Sequence, residues 1–333
     1  MNFFTNRRVL LLFIFGPIFL HGETIQCQAI PGVDQWTQAE QFYTSCLAES
    51  KRFSLDEDTA YFYHQLATVG HELGQFTTAL DNIDRALLLY SEFENSTKTR
   101  LNIIDARILK GRLLGGLDQH IDAFVELLAV FEDNLSIRGT DDPETVRLYK
   151  HLGWRLERLA KKEIMINRPE VLDSIRSILT SYLDEIDTDF VIDNTPLAYL
   201  FLAQKFYEKA LQIDRKTLGE NHPDTAKSYS LIGWILGDRK NHEEALKIHQ
   251  KALAIRLKCY SEIHPNTARS YSNIGWNYEQ LGDLVQASQY YTIAIRIMKQ
   301  VLPQDHPELE KNKENLYRVT ELLIPKQHEE SGF

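Results

Sequence analysis

The chain has 333 residues, 43% of them apolar and 25% charged, which is the balance of a folded protein and excludes a disordered one. Its formal net charge of −10 gives no overall pull towards nucleic acid. Three cysteines are too few for a disulfide framework.

The first expected element is an export signal over residues 1–29. MNFFTNRR carries Arg7 and Arg8, Val9 to Leu20 is apolar throughout, and a polar HGETIQCQA follows. That apolar run is well short of the ~20 residues a bilayer-spanning helix needs. A basic start, a short apolar core and a small-residue site at Cys27 and Ala29 read as a secretory signal peptide. Cleavage after Gly22 is a second option, and an uncleaved amino-terminal anchor is the alternative. No second apolar run follows, so no integral membrane span is expected after cleavage. The expected destination is a periplasm or the cell exterior. Cys46 reads as a core residue, and a Cys27–Cys46 bridge is open only if cleavage precedes Cys27.

The rest of the chain repeats. His222-Pro223, His264-Pro265 and His306-Pro307 are 42 residues apart, and so are Ala210, Ala252 and Ala294, and Ile213, Ile255 and Ile297. Several unrelated residue types sharing one period is the signature of stacked units. Taken in chain order, Gln38 to Ser50 reads as the second helix of a pair whose first helix is missing, with Ala39 and Cys46 at the small positions. Thr59 to Tyr90 is a full pair, with Ala67, Ala79 and Ala86. Leu101 to Phe131 is a degenerate unit: Gly111 and Ala123 fit, but Arg107 stands where an aromatic belongs. Gly153 opens another unit. Arg168 to Asn194 fits poorly; a helix near Pro169 to Asp187 and an acidic loop are expected, then a second helix from Pro196 to Leu218. Residues 223–302 hold two clear units, in which Tyr271, Ile274, Gly275 and Tyr278 lie on one helical face. Pro307 to Leu323 reads as a closing helix. The expected divisions are therefore 34–162, 163–194, 195–323 and a loose tail at 324–333.

Tyr271, Ile274-Gly275 and Tyr278, followed by Ala287, Tyr291 and Ala294, resemble the tetratricopeptide pattern. The 42-residue period and the linker LGENHPDTA, Leu218 to Ala226, are similar to the kinesin-light-chain type of that repeat. The resemblance implies an all-α, right-handed superhelical solenoid of antiparallel helix pairs, with the first helix of each pair lining a concave groove. The ten residues Thr267–Trp276 recur as Thr225–Trp234 and, more loosely, as Thr145–Trp154. The family's groove positions fall on Lys227, Ser230, Trp234 and Asp238, on Arg269, Ser272, Trp276 and Glu279, and on Lys311, Glu314 and Arg318. A cation thus recurs as Arg147, Lys227, Arg269 and Lys311, each of the first three followed seven residues later by Trp154, Trp234 or Trp276. Such a surface suits a protein or peptide ligand with acidic and apolar residues. Each tryptophan either faces the groove or packs on the next helix, and each cation either meets a ligand or is solvated. Ser272-Asn273 and Ser230-Leu231 replace the paired asparagines usual in kinesin light chains.

Motifs for phosphate-binding loops, dinucleotide binding, nucleophile elbows and zinc helices are absent from the sequence. HELGQ and HEEAL lack the second histidine of a zinc helix. His222, His264 and His306 occur one per unit and read as helix starts. The acidic run from Asp184 to Asp193 lacks the glycine and closing glutamate of a calcium loop. No cofactor, metal or enzymatic activity is expected. Three roles remain: a peptide-binding scaffold, a self-assembling solenoid, and an accessory or effector subunit of an exported complex. Asn95 and Asn134 head glycosylation sequons that matter only in a eukaryotic host.

Overall fold

The computed structural model describes residues 18–20, 23–25, 35–52, 56–93, 96–182 and 195–324. Cys27, most of the expected export signal, the acidic run and the tail lie outside these residues. Within residues 18–25, β1 (Ile18–Leu20) pairs antiparallel with β2 (Glu23–Ile25), Phe19 opposite Thr24. Every other regular element among the described residues is helical. The chain forms two compact units, Met1–Ile137 and Arg138–Phe333.

The first unit holds α1 (Gln35–Arg52), α2 (Asp56–Glu72), α3 (Phe76–Ser91), α4 (Thr97–Gly116), α5 (His120–Ala129) and the start of α6 (Phe131–Arg138). From α1 to α5 each helix packs on the next in sequence. Ala39, Tyr43 and Cys46 of α1, Ala60 and Ala67 of α2, and Ala79, Ile83 and Ala86 of α3 share one core. Gly74, at φ +74°, makes the α2–α3 turn, a left-handed position where the missing Cβ matters. Arg107 replaces aromatic packing with charge: it meets Glu126 at 3.1 Å, and Lys110 meets Glu126 and Asp84, each at 2.9 Å. Asn134 is fully buried in α6, so the folded chain hides that sequon.

The second unit holds α7 (Pro143–Lys161), α8 (Pro169–Tyr182), α9 (Pro196–Thr217), α10 (Pro223–Asp238), α11 (His242–Cys259), α12 (Pro265–Gln280), α13 (Leu284–Val301) and α14 (Pro307–Leu323). The repeated His-Pro pairs start α10, α12 and α14. Nδ1 of His222, His264 and His306 accepts the N–H of Asp224, Asn266 and Glu308 at 3.1, 3.0 and 3.2 Å. The proline takes the first helical position, where its missing N–H removes no helical hydrogen bond. The repeated threonine fixes the linker before it. Thr145, Thr225 and Thr267 donate to the carbonyls of Gly139, Gly219 and Ser261, each six residues back.

The central pairing was not legible in the sequence. α7 packs against α9, not α8. A Cβ on Gly153 of α7 would come 2.7 Å from the Tyr207 ring of α9, just as Gly233 faces His249 and Gly275 faces Tyr291. Gly233 and His249 are 16 residues apart, as are Gly275 and Tyr291; Gly153 and Tyr207 are 54 apart. The extra 38 residues are an insertion inside one hairpin. In the register of the other hairpins those 38 residues correspond to 163–200. Within it, Ile166 donates its backbone N–H to the Tyr199 hydroxyl at 2.8 Å, and Val171, Ile175 and Ile178 of α8 are buried.

Candidate functional site

The first helices α10 and α12, with the end of α11, enclose a cavity of about 290 Å³. Among its lining residues are Lys227, Ser230, Trp234 and Arg269, four of the residues singled out by the sequence. Asp224, Leu231, Arg256, Tyr260, Asn266 and Asn273 also line it.

The four expected residues differ in what they offer. Trp234 is 41% exposed, a flat apolar surface at the cavity wall. Lys227 is exposed and has no ion pair among the described residues. Partial desolvation against the wall, and then the nearby Lys150 and Arg147, push its ammonium below the ordinary lysine value. Arg269 is already engaged: its Nε donates to both carboxylate oxygens of Glu308 on α14, at 2.8 and 2.9 Å. Ser230 is buried in the wall and gives its hydroxyl to the Ala226 carbonyl at 3.1 Å.

The remaining expected residues lie outside this cavity. Arg147 pairs with Glu144 one turn away at 2.6 Å. Trp154 is half-buried beneath Arg155 and Arg158, 4.2 and 5.4 Å from its ring. Trp276 takes the packing alternative: it fills the space above Gly237 and meets the His242 ring edge-on at 5.5 Å. Ser272 is half-buried and Lys311 is exposed. Asp238 and Glu279 are held by cations of neighbouring helices. Lys161 reaches Asp238 at 2.8 Å, and Arg318 grips Glu279 with two bonds of 2.8 and 3.0 Å.

Sequence reasoning missed Arg256, on the second helix α11. The signal was present in the 42-residue register, in which Asp214, Arg256 and Met298 are equivalent and face Ser228, Ser270 and Asn312, each 14 residues on. At the first junction the Ser228 hydroxyl donates to Asp214 at 2.5 Å, and Lys150 neutralises that carboxylate at 2.8 Å. At the third, Asn312 meets the Met298 sulfur at 3.6 Å. Of the three equivalent second-helix positions, only the middle one is itself a cation.

The sequence of residues 200–258 and 235–300 matches the tetratricopeptide repeat family. Residues 200–300 are tetratricopeptide repeats. No curated protein matches the chain. The tetratricopeptide fold recurs in the crystal structure of BtubC (BKLC) from P. vanneervenii, 15% identical, with a TM-score of 0.59 over 82% of this chain and 96% of that one. A putative kinesin light chain of Podosopora anserina with nearly identical repeats is also 15% identical, with a TM-score of 0.53 over 72% of this chain and 93% of that one. The apo form of RapI is 16% identical, with a TM-score of 0.59 over 87% of this chain and 67% of that one. These likenesses establish an all-α fold of stacked tetratricopeptide hairpins. Among the described residues no helix is long and apolar enough to cross a membrane, and no three His, Cys, Asp or Glu side chains converge for a metal ion.

Proposed function

We propose that the chain is an exported, non-catalytic protein-interaction scaffold. Its first-helix faces on α10 and α12 take an extended or helical segment of a partner protein. The observation that carries this reading is the cavity in which Lys227, Trp234 and Arg269 converge. An exposed tryptophan supplies the apolar anchor typical of binding hot spots. The cations supply attraction for acidic residues over roughly the 8 Å screening distance of physiological salt.

The test is affinity capture from the native compartment, with the wild type and the Lys227→Glu/Arg269→Glu variant side by side. A partner held by the first and lost by the second, and cross-linking to α10 or α12, is the expected result. Identical captures would reduce the basic positions to a solvated face. Export is tested by the intact mass of the protein from its host: loss of residues 1–29, or of the segment ending at Gly22, is expected. An intact amino terminus in the membrane fraction would instead mean an anchor.

A second reading, self-assembly through the end of the array, has one observation in its favour. Tyr317, Leu322 and Ile324 at α14 are 67, 63 and 60% exposed. A mass in solution that rises with concentration would favour it.

A further inference from the structure

The three histidine caps of the second unit bond alike but stand in three electrostatic settings. Each accepts a backbone N–H through Nδ1, which a ring can do only while that nitrogen carries no proton. A protonated ring loses the cap and sets a positive charge against the positive end of the helix dipole. The 42-residue register decides what stands behind each cap. Asp214 and Leu218 precede His222, Arg256 and Tyr260 precede His264, and Met298 and Leu302 precede His306. Arg256 is the only cation among these six. At the first cap a carboxylate is also at hand, since Asp224 lies 3.7 Å from His222.

The middle cap is the one where a proton is least welcome. His264 is 7% exposed. Its ring lies flat on Tyr260 of α11, at a centroid distance of 3.9 Å and 3° from parallel. From the same helix, Arg256 donates to the Asn266 carbonyl at 3.3 Å and the Ser270 hydroxyl at 2.5 Å. Arg269 follows on α12. The carboxylates of the adjoining elements are engaged: Glu308 of α14 by Arg269, and Glu262 of the linker by Arg296. On α10, Asp224 and Lys227 contribute opposite charges to the same cavity. A tyrosine face favours a cation, but burial, then Arg256, then Arg269 hold the His264 ring below the ordinary histidine value of 6.5. The folded junction thus refuses a proton that the unfolded chain accepts. Its full hold is present above about pH 6.5 and is lost as pH falls. His249 on α11, lowered to about 3, titrates well below this range.

We propose that the α11–α12 junction is an acid-released latch, in which a proton on Nδ1 of His264 undoes the cap of α12 and loosens the first turn of that helix. Thr267, bonded to the Ser261 carbonyl at 3.3 Å, keeps the linker attached, so the turn frays without the array coming apart. The loosening reaches the groove wall. Tyr260, stacked on the ring, and Asn266, whose N–H the ring accepts, both line the cavity between α10 and α12. The latch is made of contacts within the fold and operates whatever the groove holds.

The test is an NMR titration of the full chain from about pH 7.5 to about pH 4.5, which brackets a histidine held below its ordinary value. It follows the His264 ring, the Asn266 amide and the Trp234 indole N–H, the last assigned with Trp234→Phe. All three should move with one common midpoint below 6.5. Across it, the hydrogen-exchange protection of the Asn266 amide, corrected for intrinsic exchange, should fall about fivefold or more, the loss expected of a helix cap. His264→Asn keeps a cap that does not titrate, so its Asn266 protection and its indole signal should stay constant over the same range. His264→Ala should show the low protection already at neutral pH. A His264 midpoint at or above 6.5, an Asn266 amide indifferent to that midpoint, or an unchanged acid response in His264→Asn would overturn the latch. An indole signal that stays in place while the Asn266 amide moves would overturn its reach to the groove wall. The wild-type titration carries the midpoint and the amide response by itself, so a variant that fails to fold leaves both outcomes decisive.

Discussion

Trp276 on α12 lies over Gly237 on α10, where a Cβ would stand 2.5 Å from its indole ring. The equivalent first-helix positions 80 residues earlier and 42 later are Glu157 and Glu279, and each accepts a bond from a buried tyrosine, Tyr207 at 3.2 Å and Tyr291 at 2.8 Å. The middle hairpin has lost both halves of that pair. Gly237 replaces the glutamate, His249 replaces the tyrosine, and the tryptophan of the next repeat fills the gap.

Gly237→Ala should therefore destabilise the second unit by about 1–3 kcal/mol through overpacking. Trp276→Phe in the same chain should recover part of that loss, giving a measurable coupling in a double-mutant cycle. Urea unfolding measures both. Additive effects of the two changes would show that the contact is not shared.

His249 is 1% exposed and neither ring nitrogen has a hydrogen-bond partner among the described residues. Burial, and then Arg256, lower its pKa from 6.5 to about 3. The unfolded chain thus binds a proton that the folded chain refuses between those values. Its effect on stability is absent above about pH 6.5 and grows as pH falls towards 3, at up to about 1.4 kcal/mol per pH unit. His249→Leu, which borrows the residue facing Gly111, should flatten that acid slope. An unchanged slope would assign the acid sensitivity elsewhere.

The 38-residue insertion should be dispensable for the hairpin around it. Excising residues 163–200 brings Lys162 to Phe201 in the register of α10 and α11. It also removes Ile166 and its partner Tyr199 together. Retained helicity per residue and one cooperative transition are expected by circular dichroism. Loss of cooperativity would show that α8 is part of the core. Gly153→Ala, by contrast, should cost about 1–3 kcal/mol, because Tyr207 and the Ala203 carbonyl already occupy the space.

Two ion pairs tie α14 to α12: Arg269 to Glu308, and Arg318 to Glu279. The Arg269 pair is exposed, so a double-mutant cycle with Glu308→Ala should give only about 0.2–1 kcal/mol, shrinking in high salt. Removing Glu308 frees Arg269 for ligand, so Glu308→Ala should tighten an acidic partner in the capture experiment. Weaker capture would show that Glu308 itself contacts the partner.

Periodicity made most of the fold legible. The 42-residue step in His-Pro, alanine and isoleucine places the helix starts and small core positions of α9 to α14, because capping and close packing are decided by local residues. The lone second helix at α1 and the full pair α2–α3 follow from the same alanines. The ten residues from Thr267 to Trp276 decompose in the same way: a threonine for the linker, a serine for the previous helix, a glycine for the second helix.

Two things depended on contacts between residues far apart in sequence. The step from Gly153 to Gly233 is 80, near enough to two repeats that one repeat with an insertion resembled two poor ones; only the packing of α7 on α9 separates them. The electrostatic character of the groove was the second. Arg147, Lys227 and Arg269 look alike in the sequence, yet one is paired within its helix, one has no ion pair among the described residues, and one is held by a glutamate 39 residues away. A period reports which positions share a face. Whether a charge on that face is neutralised depends on its neighbours in space, and so does the presence in the cavity wall of Arg256, a second-helix residue that the row of first-helix cations omitted.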